Sequence, residues 1–146
     1  MAHDPSDAHT LDRFVAAQEG RHDIALSELR RGRKESHWMW FIFPQLRGLG
    51  RSEMSWHYGI ADIDEARRYL AHPILGPRLV ECCRAVLAHA TRPAEAIFGP
   101  VDAAKLRSSA TLFAGVKDAP PVFEQILEQF FEARPCRMTS DRLGQS

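Results

Sequence analysis

Residues 33–50 read RKESHWMWFIFPQLRGLG, and we expect the rest of the chain to fold around this stretch. Its centre is an unbroken run of six large apolar residues, from Trp38 to Phe43. A helix that crosses a membrane needs about 20 apolar residues, so a run this short belongs inside the protein or in the wall of a pocket. Because polar and charged residues flank the run on both sides, a site is expected beside it.

The composition is that of one soluble globular domain. The chain has 146 residues, of which 45% are hydrophobic and 26% charged, and a chain of this length can bury a core without a metal or a disulfide. Lys plus Arg and Asp plus Glu number 19 each, so the net charge is zero. This balance gives no support for nucleic-acid or membrane binding.

The cysteines and the start of the chain bear on location. The three cysteines include an adjacent pair, and an odd count of this kind is not a disulfide framework. The first ten residues, MAHDPSDAHT, lack the apolar centre of a signal peptide. We therefore expect a cytoplasmic protein with reduced thiols.

Outside the run, apolar residues recur at helical spacing. The pattern is clearest over residues 75–90 and 120–131, and Asp62 followed by Glu65 resembles a capping box that opens another helix. No series of alternating strand patterns occurs. The sequence predicts an all-α fold, a compact single-domain bundle of seven or eight short helices around a buried aromatic segment. We expect residues 1–9 to be a disordered lead, residues 10–134 the helical domain and residues 135–146 a flexible tail.

The aromatic run itself is predicted to be a short buried helix. Ser36 is a suitable N-cap residue, and Pro44 ends the segment. A buried strand is the alternative, because periodicity cannot decide the conformation of so short a run.

His37 is the candidate catalytic residue. A histidine at the rim of an aromatic pocket can act as a general acid or base, and Lys34 places a cation close to it in the chain. The alternative is a core histidine whose ring nitrogens are hydrogen-bonded to the backbone.

The aromatic run and the loop after it supply candidate ligand contacts. Trp38 and Trp40 could stack on a flat ring, and Arg47 could hold an anion beside Gln45. The alternative is that the tryptophans are core and that the glycine-flanked loop is only solvated. A helix or a strand cannot direct both tryptophans into one pocket, so at least one of them is expected in the core.

A second cluster lies in the string KLRSSAT, residues 105–111. Lys105, Arg107, Ser108 and Ser109 combine cations with hydroxyl donors, which is what a phosphate or a carboxylate requires. On a helix, Lys105 and the two serines would share one face. The alternative is an exposed face whose hydroxyls bond back to the helix carbonyls.

The sequence contains no metal or cofactor motif. HExxH, CxxC, the P-loop, G-x-G-x-x-G and G-x-S-x-G are all absent, so we expect no metal and no cofactor. The purified protein should keep its helical circular dichroism spectrum in a strong chelator. Stoichiometric zinc that is lost together with the fold on chelation would contradict this expectation.

Three strings are similar to one known family. Residues 32–55, GRKESHWMWFIFPQLRGLGRSEMS, residues 58–79, YGIADIDEARRYLAHPILGPRL, and residues 97–113, IFGPVDAAKLRSSATLF, closely resemble the family called domain of unknown function 1810. The resemblance extends over residues 11–131 and implies a mainly α-helical fold and no established activity. Some members are labelled calpastatin-like, but calpastatin inhibitory segments are charged and disordered, unlike this chain. The family usually has Met at the position of Ala110, and Gly and Asp before the final Thr of the stretch that reads EARPCRMT here.

Two functions follow as hypotheses. The first is a domain that binds an anionic or nucleotide-like small molecule in a pocket beside the HWMWFIFPQ segment, where the two clusters meet, with possible acid or base chemistry by His37. The second is a protein-interaction or regulatory module without catalysis, in which the clusters are core and rim. A concave pocket with converging cations would favour the first, and a flat face with an exposed apolar patch would favour the second.

Overall fold

The computed structural model describes residues 11–89 and 91–144, and the expected lead at residues 1–9 lies outside this part of the chain. The described residues form ten α-helices and no strand longer than an isolated bridge, which confirms the all-α class. The helices are α1 Asp12–Gln18, α2 His22–Arg31, α3 Met39–Ile42, α4 Glu53–His57, α5 Ile63–Ala71, α6 Leu75–Leu87, α7 Ala94–Phe98, α8 Pro100–Ala114, α9 Val122–Phe131 and α10 Arg137–Gly144.

The aromatic run lies in the core, as expected. Its helix, α3, is only one turn long. Trp38, Phe41, Ile42 and Phe43 are each 4% exposed or less. Ser36 does not cap this helix, contrary to expectation. Its hydroxyl donates instead to the Glu28 carboxylate of α2, at 2.5 Å.

Helix α8 is the central helix of the bundle. It packs against α5, α7, α9 and α10, while α6 packs against α2, α5 and α9. Aromatic rings connect these layers: Tyr69 meets the edge of Phe14 at 5.2 Å between centroids and lies 5.3 Å from Phe113, which stacks on Phe123 at 5.5 Å. The core is therefore continuous from α1 to α9.

Helix α5 turns into α6 at a very close approach. A side-chain carbon added at Gly76 would lie 2.1 Å from the Leu70 carbonyl oxygen. Since a contact this short cannot be accommodated without moving the backbone, only glycine fits at this turn. The turn directs α6 back against α5.

Most of the segment expected to be a flexible tail is helical in the structure. Residues 137–144 form α10, and Thr139 is fully buried against α8, where it shares a 2.9 Å hydrogen bond with the Ser108 hydroxyl. Arg142 donates to the Gly48 carbonyl at 3.0 Å. This helix has no clear apolar stripe in the sequence, because Thr139 is its buried residue and the other positions are mostly polar or exposed.

No helix in residues 11–89 or 91–144 has both the length and the apolar content that a membrane crossing requires.

Candidate functional site

The glycine-flanked loop after the aromatic run has a defined conformation. Leu46 pairs with Ile60 in an isolated parallel bridge, in which the Arg47 amide donates to Ile60 and the Ile60 amide donates to Gln45 at 2.7 and 2.8 Å. Helix α4 begins with a true cap, because the Ser52 hydroxyl accepts a bond from the Ser55 amide at 3.1 Å. The loop is therefore held against the rest of the fold.

A cavity of about 190 Å³ lies between this loop, α3 and α8. Aromatic and polar side chains face it together with one cation. We call it the Lys105 pocket, and it is lined by Trp40, Gln45, Leu46, Leu49, Gly50, Ser55, Tyr58, Gly59 and Lys105.

The Lys105 ammonium lies against the aromatic wall of the pocket. Its nitrogen is 3.7 Å from the centroid of the Trp40 ring, a cation–π contact. It is also 3.5 Å from one Asp102 oxygen, while the other Asp102 oxygen is 3.0 Å from the Lys34 ammonium. Two ammonium groups therefore share a single carboxylate, which leaves one positive charge in excess beside the pocket.

Lys34 has a largely buried side chain, which contacts other residues of the fold rather than the pocket. Its side chain is only 8% exposed, and its ammonium donates to the Ser36 carbonyl at 2.6 Å and lies 4.8 Å from the Trp38 ring centroid. It reaches the pocket only through Asp102, so its effect there is electrostatic.

Of the predicted binding residues, Trp40, Gln45 and Lys105 come together in the pocket. These three residues come from the two sequence clusters and line one cavity, and a binding role for them stays a prediction. Trp38 is 1% exposed, and its indole nitrogen donates to Glu28 at 3.0 Å. Ser109 is also 1% exposed. These side chains pack within the fold, away from the pocket.

Arg107 and Ser108 support the C-terminal segment. The Arg107 guanidinium donates to the Arg134 carbonyl at 2.8 Å, and Ser108 is bonded to Thr139 of α10. Neither side chain lines the Lys105 pocket.

Arg47 turns away from the pocket toward α4. Its guanidinium donates to the Trp56 carbonyl at 2.8 Å and lies 4.8 Å from the Trp56 ring centroid. Burial, and then the nearby positive charge of Arg13, lower the pKa of Arg47. The guanidinium nevertheless stays charged at neutral pH.

His37 is exposed and does not line the Lys105 pocket. It faces a separate surface groove, which Trp38 of the aromatic run also lines together with Arg21 and Glu35. His37 is therefore separate from Trp40 and Lys105, and acid or base chemistry by His37 stays a prediction.

Glu28 is an internal anion that sequence reasoning missed. Its carboxylate accepts bonds from the amides of Glu35 and Ser36 at 2.7 and 2.9 Å, from the Ser36 hydroxyl and from the Trp38 indole. Burial acts to raise its pKa, but these donors outweigh burial and lower the pKa from 4.5 to about 2. One sequence signal could have identified it: Glu28 follows Ala25 by one helical turn and so lies on the buried face of α2. A carboxylate on a buried face requires hydrogen-bond donors as partners.

A second missed element is a buried ion pair. The Arg13 guanidinium binds both Glu65 oxygens at 3.1 Å and also donates to the carbonyls of His57 and Gly59 at 2.8 Å. Glu65 additionally accepts from the Ala61 amide at 2.8 Å. This pair ties α1 to α5 and to the chain that enters the Lys105 pocket at Tyr58.

A thiol, an imidazole and a carboxylate also meet between α2 and α6. The Cys82 sulfur lies 3.9 Å from His22 Nδ1, and His22 Nε2 lies 3.3 Å from a Glu81 oxygen. This order resembles a nucleophilic triad. However, Cys82 is 1% exposed, and burial, followed by the charge of Glu81, raises its pKa to about 12. Since the thiolate is the reactive form, this cysteine is inert at neutral pH.

Within residues 11–89 and 91–144, no three His, Cys, Asp or Glu side chains converge as a metal site would require.

These features define a small all-α domain with a lysine-bearing aromatic pocket. The chain belongs to the family described as Protein of unknown function (DUF1810), whose model matches residues 8–143. The resemblance seen in the sequence is thereby confirmed.

One solved structure is similar over nearly the whole chain. It is described as the crystal structure of the conserved hypothetical protein Rv1873 from Mycobacterium tuberculosis. The two chains are 47% identical, the match covers 97% of this chain and 99% of that one, and the TM-score is 0.90. A search of curated proteins finds no match.

Proposed function

We propose that the Lys105 pocket binds a small anionic molecule, or the anionic end of a larger one. The observation that carries this proposal is the position of the Lys105 ammonium, at the wall of a cavity and against the face of Trp40. An ammonium has three donors, and Asp102 is a distant partner at 3.5 Å. An incoming carboxylate or phosphate can therefore bind Lys105 without displacing a short ion pair.

The rest of the pocket supports a ligand with a partly flat or apolar body. Trp40 and Tyr58 supply aromatic walls, and Gln45 supplies an amide that can both donate and accept. The volume of about 190 Å³ is below the ~300–1,000 Å³ usual for drug-sized ligands. A dicarboxylate or a phosphorylated fragment is the appropriate size, and a nucleotide would place only one end in the pocket.

Binding without a catalytic step is the function proposed here, because His37 lies outside the Lys105 pocket. We also infer a cytoplasmic protein. Its three cysteines are free in the structure, which supports a reducing compartment.

A thermal-shift screen of dicarboxylates, sugar phosphates and nucleotides tests the proposal. A ligand at one hundred times its Kd stabilises the fold by about 2.7 kcal/mol, which corresponds to a rise in Tm of about 5–10 °C for a domain of this size. We expect at least one compound to reach this range with the wild type.

Two matched lysine variants separate the pocket from general charge. Lys105→Gln should weaken the hit at least tenfold. Lys117→Gln removes the same charge from an exposed lysine that does not line the pocket, so this variant should bind as the wild type does. Equal loss in both variants, or no hit in the whole panel, would contradict the proposal.

The second candidate function, a protein-interaction module, is favoured by α4. Trp56 is 60% exposed and Met54 is 44% exposed on this short helix, and exposed Trp beside Arg is common at binding hot spots. A negative ligand screen would make this the better hypothesis.

A further inference from the structure

A broad groove lies between α5, α6 and the loop that joins α8 to α9. Its volume is about 920 Å³, near the upper end for a small-molecule site. It opens broadly to solvent and shares no lining residue with the Lys105 pocket. We call it the α5–α6 groove.

Cations are in excess along this groove. Arg78, Arg84 and Lys117 line it, and Arg67 lies at its edge. Arg67 is paired with Asp64 at 2.8 Å. Arg78 donates to the neutral Gln18 amide at 3.3 Å and forms no ion pair within residues 11–89 and 91–144, so no carboxylate of this part of the chain is paired with it.

Arg84 and Lys117 are the most available of these cations. Both are exposed, and neither forms an ion pair with any residue in the described part of the chain. Their ammonium and guanidinium groups are therefore accessible to an external anion.

The two carboxylates of the groove do not cancel this charge. Glu81 lies 3.3 Å from His22 and 3.6 Å from Arg30, two groups that do not line the groove. Asp118 adjoins Lys117 in the loop. Three available cations against one available carboxylate leave two positive charges in excess.

The floor of the groove is apolar. Leu70, Val80 and Val116 contribute to it, together with Pro77 and Pro120. A nucleic-acid phosphate backbone has no apolar side chains that could pack on this floor. The zero net charge of the chain is also unlike that of a nucleic-acid-binding domain. A ligand that alternates carboxylates with apolar side chains matches both the rim and the floor.

We propose that the α5–α6 groove binds an extended acidic peptide segment of a partner protein. Its carboxylates contact Arg78, Arg84 and Lys117, and its apolar side chains cover Leu70 and Val80. The proposal is independent of the Lys105 pocket and stands if that pocket binds nothing.

The test uses a fluorescein-labelled hexapeptide of alternating glutamate and leucine. Its fluorescence anisotropy is measured against wild type in 50 mM and 300 mM salt. We expect saturable binding that weakens at the higher salt, because exposed charge pairs are screened. A peptide with glutamine in place of glutamate should bind at least tenfold more weakly.

Charge reversal locates the site. The double variant Arg84→Glu with Lys117→Glu should weaken the peptide at least tenfold, and it should keep its melting temperature because both side chains are exposed. Arg51→Glu reverses an exposed cation outside the groove, and Lys105→Gln alters the separate pocket. Each of these should bind within twofold of the wild type.

Four results would overturn the proposal. The first is the absence of saturable peptide binding by wild type, and the second is equal affinity for wild type and the double variant. The third is displacement of the peptide by 10 mM inorganic phosphate together with equal affinity for a peptide without leucine, which would indicate a small-anion site. The fourth is a dimer in sedimentation velocity that the double variant abolishes, which would make a second copy of this chain the occupant.

Discussion

Replacing Arg13 with alanine is expected to lower the free energy of unfolding by about 3–5 kcal/mol. The substitution leaves Glu65 as a fully buried carboxylate whose cationic partner is gone, and it leaves the carbonyls of His57 and Gly59 without the guanidinium that donates to both. Removing one partner of a buried pair is costly because the remaining charge must stay out of water. Urea unfolding at pH 7 measures the loss.

An exposed ion pair on α5, the helix that carries Glu65, provides the control. Arg67 binds Asp64 at 2.8 Å, with both side chains 59% exposed, and such surface pairs contribute about 0–1 kcal/mol. Arg67→Ala should therefore be nearly neutral. The double variant Arg13→Met with Glu65→Leu should recover much of the stability lost in Arg13→Ala, since no charge is then left unpaired. Equal effects of Arg13→Ala and Arg67→Ala would show that the pair is not buried in solution.

Replacing Glu28 with glutamine is expected to cost about 3 kcal/mol at pH 7 and less in acid. The folded-state pKa of Glu28 is about 2, below its ordinary value of 4.5. A carboxylate with a lowered pKa stabilises the fold fully above the unfolded-state pKa, and this stabilisation is lost as the pH falls toward the folded-state pKa. The difference between wild type and variant should therefore shrink by about 2 kcal/mol between pH 5.5 and pH 3.

Glu35→Gln is the matched control for this prediction. Glu35 lies in the loop whose amides donate to Glu28, but its own side chain is 58% exposed and pairs only weakly with Arg31, at 3.7 Å. Its replacement should change stability by less than about 0.5 kcal/mol. A Glu28→Gln difference that is the same at both pH values would show that the network of donors does not hold the carboxylate in its charged form.

The sequence predicted those parts of the fold that local patterns determine. Asp62 does cap α5, accepting from the Glu65 amide at 2.8 Å, and the aromatic run is core. The Glu65 side chain, however, does not complete the expected capping box. It binds Arg13, which lies 52 positions earlier in the chain. No local pattern encodes a contact over that separation, because only the packing of α1 against α5 creates it.

The candidate site was predicted in part for a similar reason. Lys105 and Ser108 were expected to share a face of α8, yet Lys105 contacts Trp40 and Ser108 contacts Thr139. Helix α8 is surrounded by four other helices, so its polar side chains do not mark a single exposed face. Whether a hydroxyl faces a pocket or is hydrogen-bonded within the protein depends on the helices that pack around it. The spacing of the residues along the sequence does not determine this.

The three lysines of this chain allow a direct test of the Lys105 pocket. Lys34, Lys105 and Lys117 give three side-chain signals in protein that carries isotope-labelled lysine, and these signals can be followed by NMR while a ligand from the thermal-shift screen is added. The account predicts that the Lys105 signal shifts and saturates with the same Kd as the thermal effect, with a smaller change at Lys34 through Asp102 and none at Lys117. Saturable movement of Lys117 with Lys105 unchanged would contradict it.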